Sequence, residues 1–442
     1  MKITGIICEY NPFHNGHVYQ IGQCKNDKDD FCIAVMSGDW IQRGGPAIID
    51  KYERAKMALK GGVDLVIELP TAYATGSASD FAFGGISLLD SLGCVDELCF
   101  GAESPRDDSF DKVVDFMNEF GEMLAVETAE YMREGNSYPK ARELALSNHF
   151  NKHIVQGLCK PNNILALEYN LAIRKLKSNI VPKAILRKGS EYADSELNMV
   201  SYSSATAIRN SIMSGYEFMI KNDNGYRNDD MFVGASTYMA ITGETLRSAM
   251  SEPLSPIKNH VPATTYEILL NALGKSYPLV YSNFSRELGY KLILEVGKGF
   301  EDYLDVTREL SDKICKNISY FKTVDQFCDL LKTKEITYAR ISRCMTHILL
   351  DIKKDTFPEG KRAGYARILG FRKDSEKLLK IIKDHSSIPI ISKLADAPRM
   401  LDDKDLKMLG KDIQAAHMYD FVSACKYQKD LKNEFTQAMI IV

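Results

Sequence analysis

The chain has 442 residues, room for two or three domains, so a single small module is excluded. At 45% hydrophobic and 26% charged residues it has the composition of a globular protein with sizeable cores, and wholesale disorder is excluded. Fifty-six Lys plus Arg against 59 Asp plus Glu give a formal net charge of −3, which excludes a uniformly basic nucleic-acid binder.

The first hundred residues alternate short apolar runs with amphipathic segments. Ile3–Cys8, Phe31–Met36, Leu65–Leu69 and Glu97–Phe100 are predicted strands, with helices at Gly16–Cys24, Lys51–Lys60 and Ser79–Ser91 between them. That repetition predicts a parallel sheet with helices on both faces. The pattern turns helical from Ser109 to Phe150, where Ser137-Tyr138-Pro139 reads as a helix start. Asn162–Lys177 is another helix, and Val181–Leu186 returns to the sheet. Ser203-Ser204-Ala205-Thr206 opens a helix to about Gly215. The stretch from 216 to 260, rich in Gly, Asn, Asp and Ser, reads as an irregular connection. Glu301–Asn317, Ala339–Asp351 and Glu376–Asp384 have helical periodicity, so the remainder is mostly helical. The expected organisation is an α/β, Rossmann-like catalytic domain at 1–215, a connection at 216–260 and a mostly α-helical domain at 261–442.

The ten cysteines are scattered without a C-x-x-C pair, which fits a reduced, cytoplasmic chain. Signal-peptide and membrane-spanning segments are not expected, since no run approaches 18 apolar residues. His149 and His153, four apart on a helix, are read as surface histidines, and no metal ligands are expected.

The densest chemical signal is Gly5-Ile6-Ile7-Cys8-Glu9-Tyr10-Asn11-Pro12-Phe13-His14-Asn15-Gly16-His17. A strand runs through an Asn-Pro turn into His-x-Gly-His where a helix starts. Free amides and the positive end of the helix dipole favour phosphate there, and two imidazoles can donate to phosphate oxygens as charge accumulates. Gly16 would let a base or ribose approach the backbone. Plain helix capping by the histidines is the competing reading, and the position after a strand of an α/β sheet favours the ligand site. Asp39, in a Ser-Gly-Asp loop after the second strand, is a candidate base or amine contact, against a carboxylate bonding its own loop amides. Arg43, Lys51 and Arg54 are candidate phosphate contacts, against solvated surface charges. Gly101 follows the fourth strand, Asn162 can cap a helix, and Arg187-Lys188 ends the later strand on the ligand edge. Ser203, Ser204 and Thr206 offer hydroxyls at a helix start, for phosphate or for capping.

The N-terminal run resembles the His-x-Gly-His nucleotidyltransferase superfamily. Together with Met36-Ser37-Gly38-Asp39-Trp40-Ile41-Gln42-Arg43-Gly44 and Gly61-Gly62-Val63-Asp64-Leu65-Val66-Ile67-Glu68-Leu69-Pro70, it resembles the bacterial tRNA(Met) cytidine acetate ligases. Further matching blocks are Phe100–Glu103, Lys160–Tyr169 and Ser203–Arg209. Gly45 departs from the pattern, where an acidic residue is more usual. The resemblance implies that acetate and ATP give acetyladenylate and pyrophosphate, and that the acetyl group then passes to the wobble cytidine of elongator tRNA(Met). It implies ATP contacts from Ile7, Cys8, Glu9, Tyr10, Asn11, Pro12, Phe13, His14, Asn15, Gly16, His17 and Gln20, and from Gly101, Asn162, Arg187, Lys188, Ser203, Ser204 and Thr206. His14, His17 and Asp39 are the candidate catalytic groups. A magnesium ion on the nucleotide is chemically natural, although no carboxylate cluster announces it. The alternatives are a small-molecule adenylyltransferase of the same superfamily and a non-catalytic tRNA-binding protein. Tyr10, Phe13 and Trp40 are the expected surroundings of a small acetate pocket.

Divided at residue 310, the chain has 31 Lys plus Arg against 41 Asp plus Glu before the division and 25 against 18 after it, nets of −10 and +7. The basic part includes Lys353, Lys354, Lys361, Arg362, Arg367, Arg372 and Lys373, with Tyr365 and Phe371 interleaved. That mixture suits a phosphate backbone with unstacked bases, and equally a solvated helical face.

Overall fold

The computed structural model describes residues 1–25, 27–103, 108–158, 161–186, 197, 202–222, 253–357 and 362–442. Five parallel strands form the larger part of one sheet: β1 (Ile3–Cys8), β2 (Phe31–Ser37), β3 (Leu65–Leu69), β4 (Glu97–Ala102) and β5 (Val181–Leu186). They stand in the order β5-β4-β1-β2-β3. The chain steps outward from β1 to β2 and β3, then returns to place β4 on the other side of β1. The crevice at the carboxyl ends of β1 and β4 is therefore a topological switch point, where open α/β sheets bind ligands.

These strands read as apolar runs because both faces of the sheet are covered. Along β2, Cys32, Ala34 and Met36 face one core while Phe31, Ile33 and Val35 face the other, and all six are buried. Two helices matter most for the ligand edge. Helix α1 (Asn15–Cys24) follows β1, and helix α2 (Lys51–Lys60) precedes β3, its first turn capped by Asp50 accepting from Tyr52 N and Glu53 N, each at 3.0 Å.

The C-terminal part is mostly helical, as expected, but it also completes the sheet. Strand β6 (Ala366–Phe371) pairs antiparallel with β3, and the short β7 (Ile390–Ile391) and β8 (Ile440–Ile441) pair with β6. The expected helix over 301–317 begins only at Arg308, where Thr307 accepts from Leu310 N at 3.3 Å. The helix opened by the Ser/Thr signature runs past residue 215 to Asn222. None of the described helices is long and apolar enough to cross a membrane.

The β3–β6 flank encloses charge. Lys51 Nζ lies 2.9 Å from both Glu68 and Glu434, and Arg367 reaches Glu68 at 2.9 Å and Glu434 at 2.6 Å. All four side chains are buried. Burial of such paired charges makes removal of one partner costly, because the other is left uncompensated.

Candidate active site

The loop between β1 and α1 is anchored from below. Phe13 is fully buried, and Gly61 leaves room for its ring, since a Cβ there would lie 2.4 Å from it. Asn11 Oδ1 accepts from Ile48 N at 2.8 Å, and Arg209 donates to Asn11 O at 2.7 Å. Arg54, wholly buried, donates to the carbonyls of Ile49 (3.1 Å), Ser37 (3.1 Å), Glu9 and Gly38. It therefore gathers the ends of β1 and β2, and the expected phosphate contact is a structural clamp. Lys51 is likewise buried among carboxylates, whereas Arg43 does line the cavity.

His14 caps α1, its Nδ1 accepting from Gly16 N at 3.1 Å. His17 Nδ1 in turn accepts from His14 N at 3.2 Å, closing a capping box, and the rings stack with centroids 3.7 Å apart. With each Nδ1 an acceptor, the proton of each neutral ring belongs on Nε2, a donor for an anionic oxygen. Helix capping and a place on the cavity wall thus coincide in the same two side chains. Gly16 lines the cavity and also makes room for the imidazole, since a Cβ there would sit 2.9 Å from the His14 ring. The first helix amides are also already satisfied. Asn15 N donates to His260 O at 3.1 Å, Gly16 N to His14 Nδ1, and His17 N to His14 O at 2.9 Å. At this end of the cavity the polar groups of the helix start are therefore the imidazoles and not the first amides.

Above this cap lies a cavity of about 240 Å³ at the switch point. Of the residues expected to contact nucleotide, Ile7, Cys8, Glu9, Tyr10, Asn11, His14, Gly16, His17, Gln20, Gly101, Ser203 and Thr206 line it. Gln20 also ties α1 to β4, donating to Cys99 O at 3.1 Å. Pro12, Phe13, Asn15 and Ser204 do not line it. Ser204 accepts from Ala207 N at 3.0 Å, the capping alternative. Arg187, Lys188 and the side chain of Asn162 lie outside the described residues; Asn162 falls in the first turn of the helix Pro161–Leu176. Asp39 is buried away from the lining, accepting from Lys51 N at 2.7 Å. Desolvation raises its pKa to about 7, against the opposing pull of Lys51 and Arg54. Tyr10 meets the cavity, but Trp40 is buried in the core and donates to Ala415 O at 3.0 Å, so the expected three-ring acetate pocket is not assembled.

The lining also includes residues the sequence reading left out: Tyr19, Gln42, Tyr169, Tyr202 and Arg209. Gln42 N donates to Glu9 Oε1 at 3.0 Å, joining the first two motif blocks. Arg209, although inside the quoted Ser/Thr block, was assigned no contact; its guanidinium bridges Asn11 O and Thr206 Oγ1 and so ties the two signature segments together.

The chain has relatives among known proteins. The sequence model of the HIGH Nucleotidyl Transferase family matches residues 1–434. The tRNA(Met) cytidine acetate ligase of Thermosipho melanesiensis is 36% identical over alignments covering 100% of this chain and 99% of that one. The chain belongs to the tRNA(Met) cytidine acetate ligase family. The Clostridium tetani ligase is also 36% identical, over 96% of both chains. In three dimensions the chain is similar to Thermotoga maritima TmcAL in its apo form, with a TM-score of 0.85 and 28% identity over the whole of both chains. A second crystal structure of that protein, bound with alpha-thio ATP, matches with a TM-score of 0.82 and 27% identity, covering 100% of this chain and 99% of that one. Family membership accounts for both halves of the molecule, since these relatives extend over the helical part as well as the sheet.

Of the basic and aromatic run nominated for RNA, Arg367 and Tyr365 are buried, the former in the β3–β6 ion pairs, and Arg372 is paired with Asp374 at 2.7 Å. Lys361 lies outside the described residues. Lys353, Lys354, Arg362 and Lys373 are exposed.

Proposed function

We propose that this chain is an ATP-dependent ligase that activates acetate as acetyladenylate and transfers the acetyl group to the exocyclic amine of the wobble cytidine of elongator tRNA(Met). The observation that carries the reading is the stacked His14–His17 pair, with both Nδ1 atoms engaged by backbone, on a cavity at the β1–β4 switch point in a chain matching these ligases over its full length.

In the first step an acetate oxygen attacks the α-phosphorus in line and pyrophosphate leaves. The protein's task is to align two anions and neutralise the charge that grows on the phosphate oxygens. The Nε2–H groups of His14 and His17 supply donors at that place, and Thr206 and Ser203 supply hydroxyls at the second helix start. In the second step the cytidine amine attacks the acetyl carbonyl, AMP leaves, and the proton of the amine passes to solvent or to a base. Glu9 is the carboxylate among the lining residues, and its Oε1 already accepts from Gln42 N. This donor set fits a magnesium ion carried chiefly by the nucleotide phosphates, where it would neutralise charge on the departing pyrophosphate.

We assign residues 1–215 to the adenylating part and residues 261–442 to the tRNA grip, joined through 216–260. The net charges of the two ends of the chain and the exposed Lys353, Lys354, Arg362 and Lys373 support that division. Purified protein with ATP and acetate is expected to release pyrophosphate, and radiolabelled acetate is expected to enter tRNA(Met) as acetylcytidine. Absence of acetate-dependent release would overturn the reading, whereas release without RNA acetylation would point to a small-molecule adenylyltransferase.

A further inference from the structure

Two residues of the segment read as an irregular connection are built into the site. Asn259 O accepts from Asn15 Nδ2 at 2.8 Å, and His260 O accepts from Asn15 N at 3.1 Å, so this segment is fastened to the start of α1. From the same residue the His260 ring reaches the other signature, its Nδ1 lying 3.0 Å from Ser203 Oγ. Ser203 lines the cavity, and the side chains of Ser203 and His260 are both buried. Its neighbour Ser204 is spent on capping Ala207 N, so the two serines have separate duties.

The direction of the Ser203–His260 hydrogen bond decides what Ser203 shows a ligand. A serine hydroxyl has one proton and can accept at its oxygen. If Nδ1 accepts, that proton is spent on the imidazole, and the oxygen faces the cavity with lone pairs only, which repels a polyanion. If Nδ1–H donates, the hydroxyl proton is not spent on the imidazole and can be presented to a phosphate oxygen, and the donated hydrogen bond polarises it further. We propose that His260 is a positioning residue for the phosphate site, donating from Nδ1–H to Ser203 Oγ so that the Ser203 hydroxyl is held as a donor to ATP. This rests on the ATP-dependent reading above. Burial lowers the His260 pKa, so the ring is neutral near pH 7 and carries a single proton, which the proposal places on Nδ1. The backbone contacts to Asn15 belong to the main chain and survive replacement of the side chain.

The test uses the full-length protein, with acetate-dependent pyrophosphate release measured over a range of ATP concentrations. Asparagine places an N–H donor close to the position of Nδ1, whereas glutamine places it near Nε2. His260→Ala and His260→Gln are expected to raise the KM for ATP about ten-fold, the loss of one hydrogen bond to a charged ligand, with kcat within about three-fold. His260→Asn is expected to return KM to within about two-fold of wild type. Ser203→Ala combined with His260→Ala is expected to be no worse than Ser203→Ala alone. Wild-type KM in His260→Gln, or equal impairment of His260→Asn and His260→Gln with unchanged melting temperature, would overturn the proposal. So would additive losses in the double variant. If His260→Ala fails to fold, the Asn and Gln pair decides alone. A wild-type enzyme without acetate-dependent release would instead count against the underlying reading.

Discussion

Two regions at the carboxyl ends of the strands carry polar side chains and use them in opposite ways. At β1–β4, His14, His17, Ser203 and Thr206 are oriented by backbone and side-chain partners around a cavity. At β3–β6, Lys51, Glu68, Arg367 and Glu434 are paired with one another in a buried cluster that joins the sheet to the C-terminal tail. A charge near a nucleotide-binding motif is therefore not evidence of a ligand contact. What separates the regions is whether the partners of each group consume its charge or merely fix its direction.

The sharpest way to break this contrast is to remove one charge from the buried cluster. Arg367→Met leaves Glu68 and Glu434 facing Lys51 alone and is expected to lower stability by about 3–5 kcal/mol, read from the urea midpoint. Adding Glu434→Gln is expected to recover part of that loss, and a neutral single substitution would show that the cluster is not a closed electrostatic unit. At the open site the effect moves from stability to rate. His17→Ala is expected to lower acetate-dependent adenylation about 10²–10³-fold, as for loss of one donor to a developing oxyanion, while tRNA binding is retained. Full activity in that variant would remove the phosphate assignment.

The contrast also explains what was legible from sequence. The five parallel strands were, because a strand covered on both faces must be a run such as Phe31–Met36 or Leu65–Leu69, and those runs coincide closely with β2 and β3. Strand β6 was not, because Arg367 in its middle reads as a surface cation until Glu68 and Glu434 are brought to it by the fold. Lys51 and Arg54, candidate phosphate contacts weighed against surface charges, are likewise core residues, because the fold encloses Lys51 with Glu68 and Glu434 and Arg54 with four backbone carbonyls. In the site, His14 and His17 were legible because one short segment carries strand, turn and cap together. His260 had no local signal. Its role depends on Ser203 and Asn15, which only the tertiary structure places beside it.

Asp39 stands between the two regions and offers a test by pH. Desolvation raises its pKa to about 7 from an ordinary value near 3.8. An acid whose folded pKa lies above its unfolded one binds more protons in the native state, so stability falls as pH rises from about 4 to about 7 and is level above. Asp39→Asn keeps an oxygen for Lys51 N and removes the titration. Relative to wild type, the variant is expected to gain stability across that window by roughly 1–3 kcal/mol, measured by denaturant unfolding at several pH values. A difference independent of pH would place the titration on another group.

The smallest expected effect probes the loop that connects the regions. Residues 41–45 close on themselves through Ile41 N to Gly45 O at 3.1 Å, and Gly45 N donates to Thr346 Oγ1 at 3.0 Å, pinning the loop to the helix Tyr338–Leu349. Gly45 has φ +114, outside the range open to side-chain-bearing residues, whereas the nearest atom to an added Cβ is the Tyr281 ring at 3.4 Å. The penalty at 45 is thus one of backbone conformation and not of space. Gly45→Ala and Gly45→Glu are both expected to cost about 1 kcal/mol, equal within error despite their different volumes. At Gly44 a Cβ would meet the backbone of Arg343 at 2.4 Å, so Gly44→Ala is expected to cost more. The comparison is made by thermal unfolding of the three variants. If Gly45→Glu were instead as stable as wild type, the loop would have an alternative path compatible with an acidic side chain.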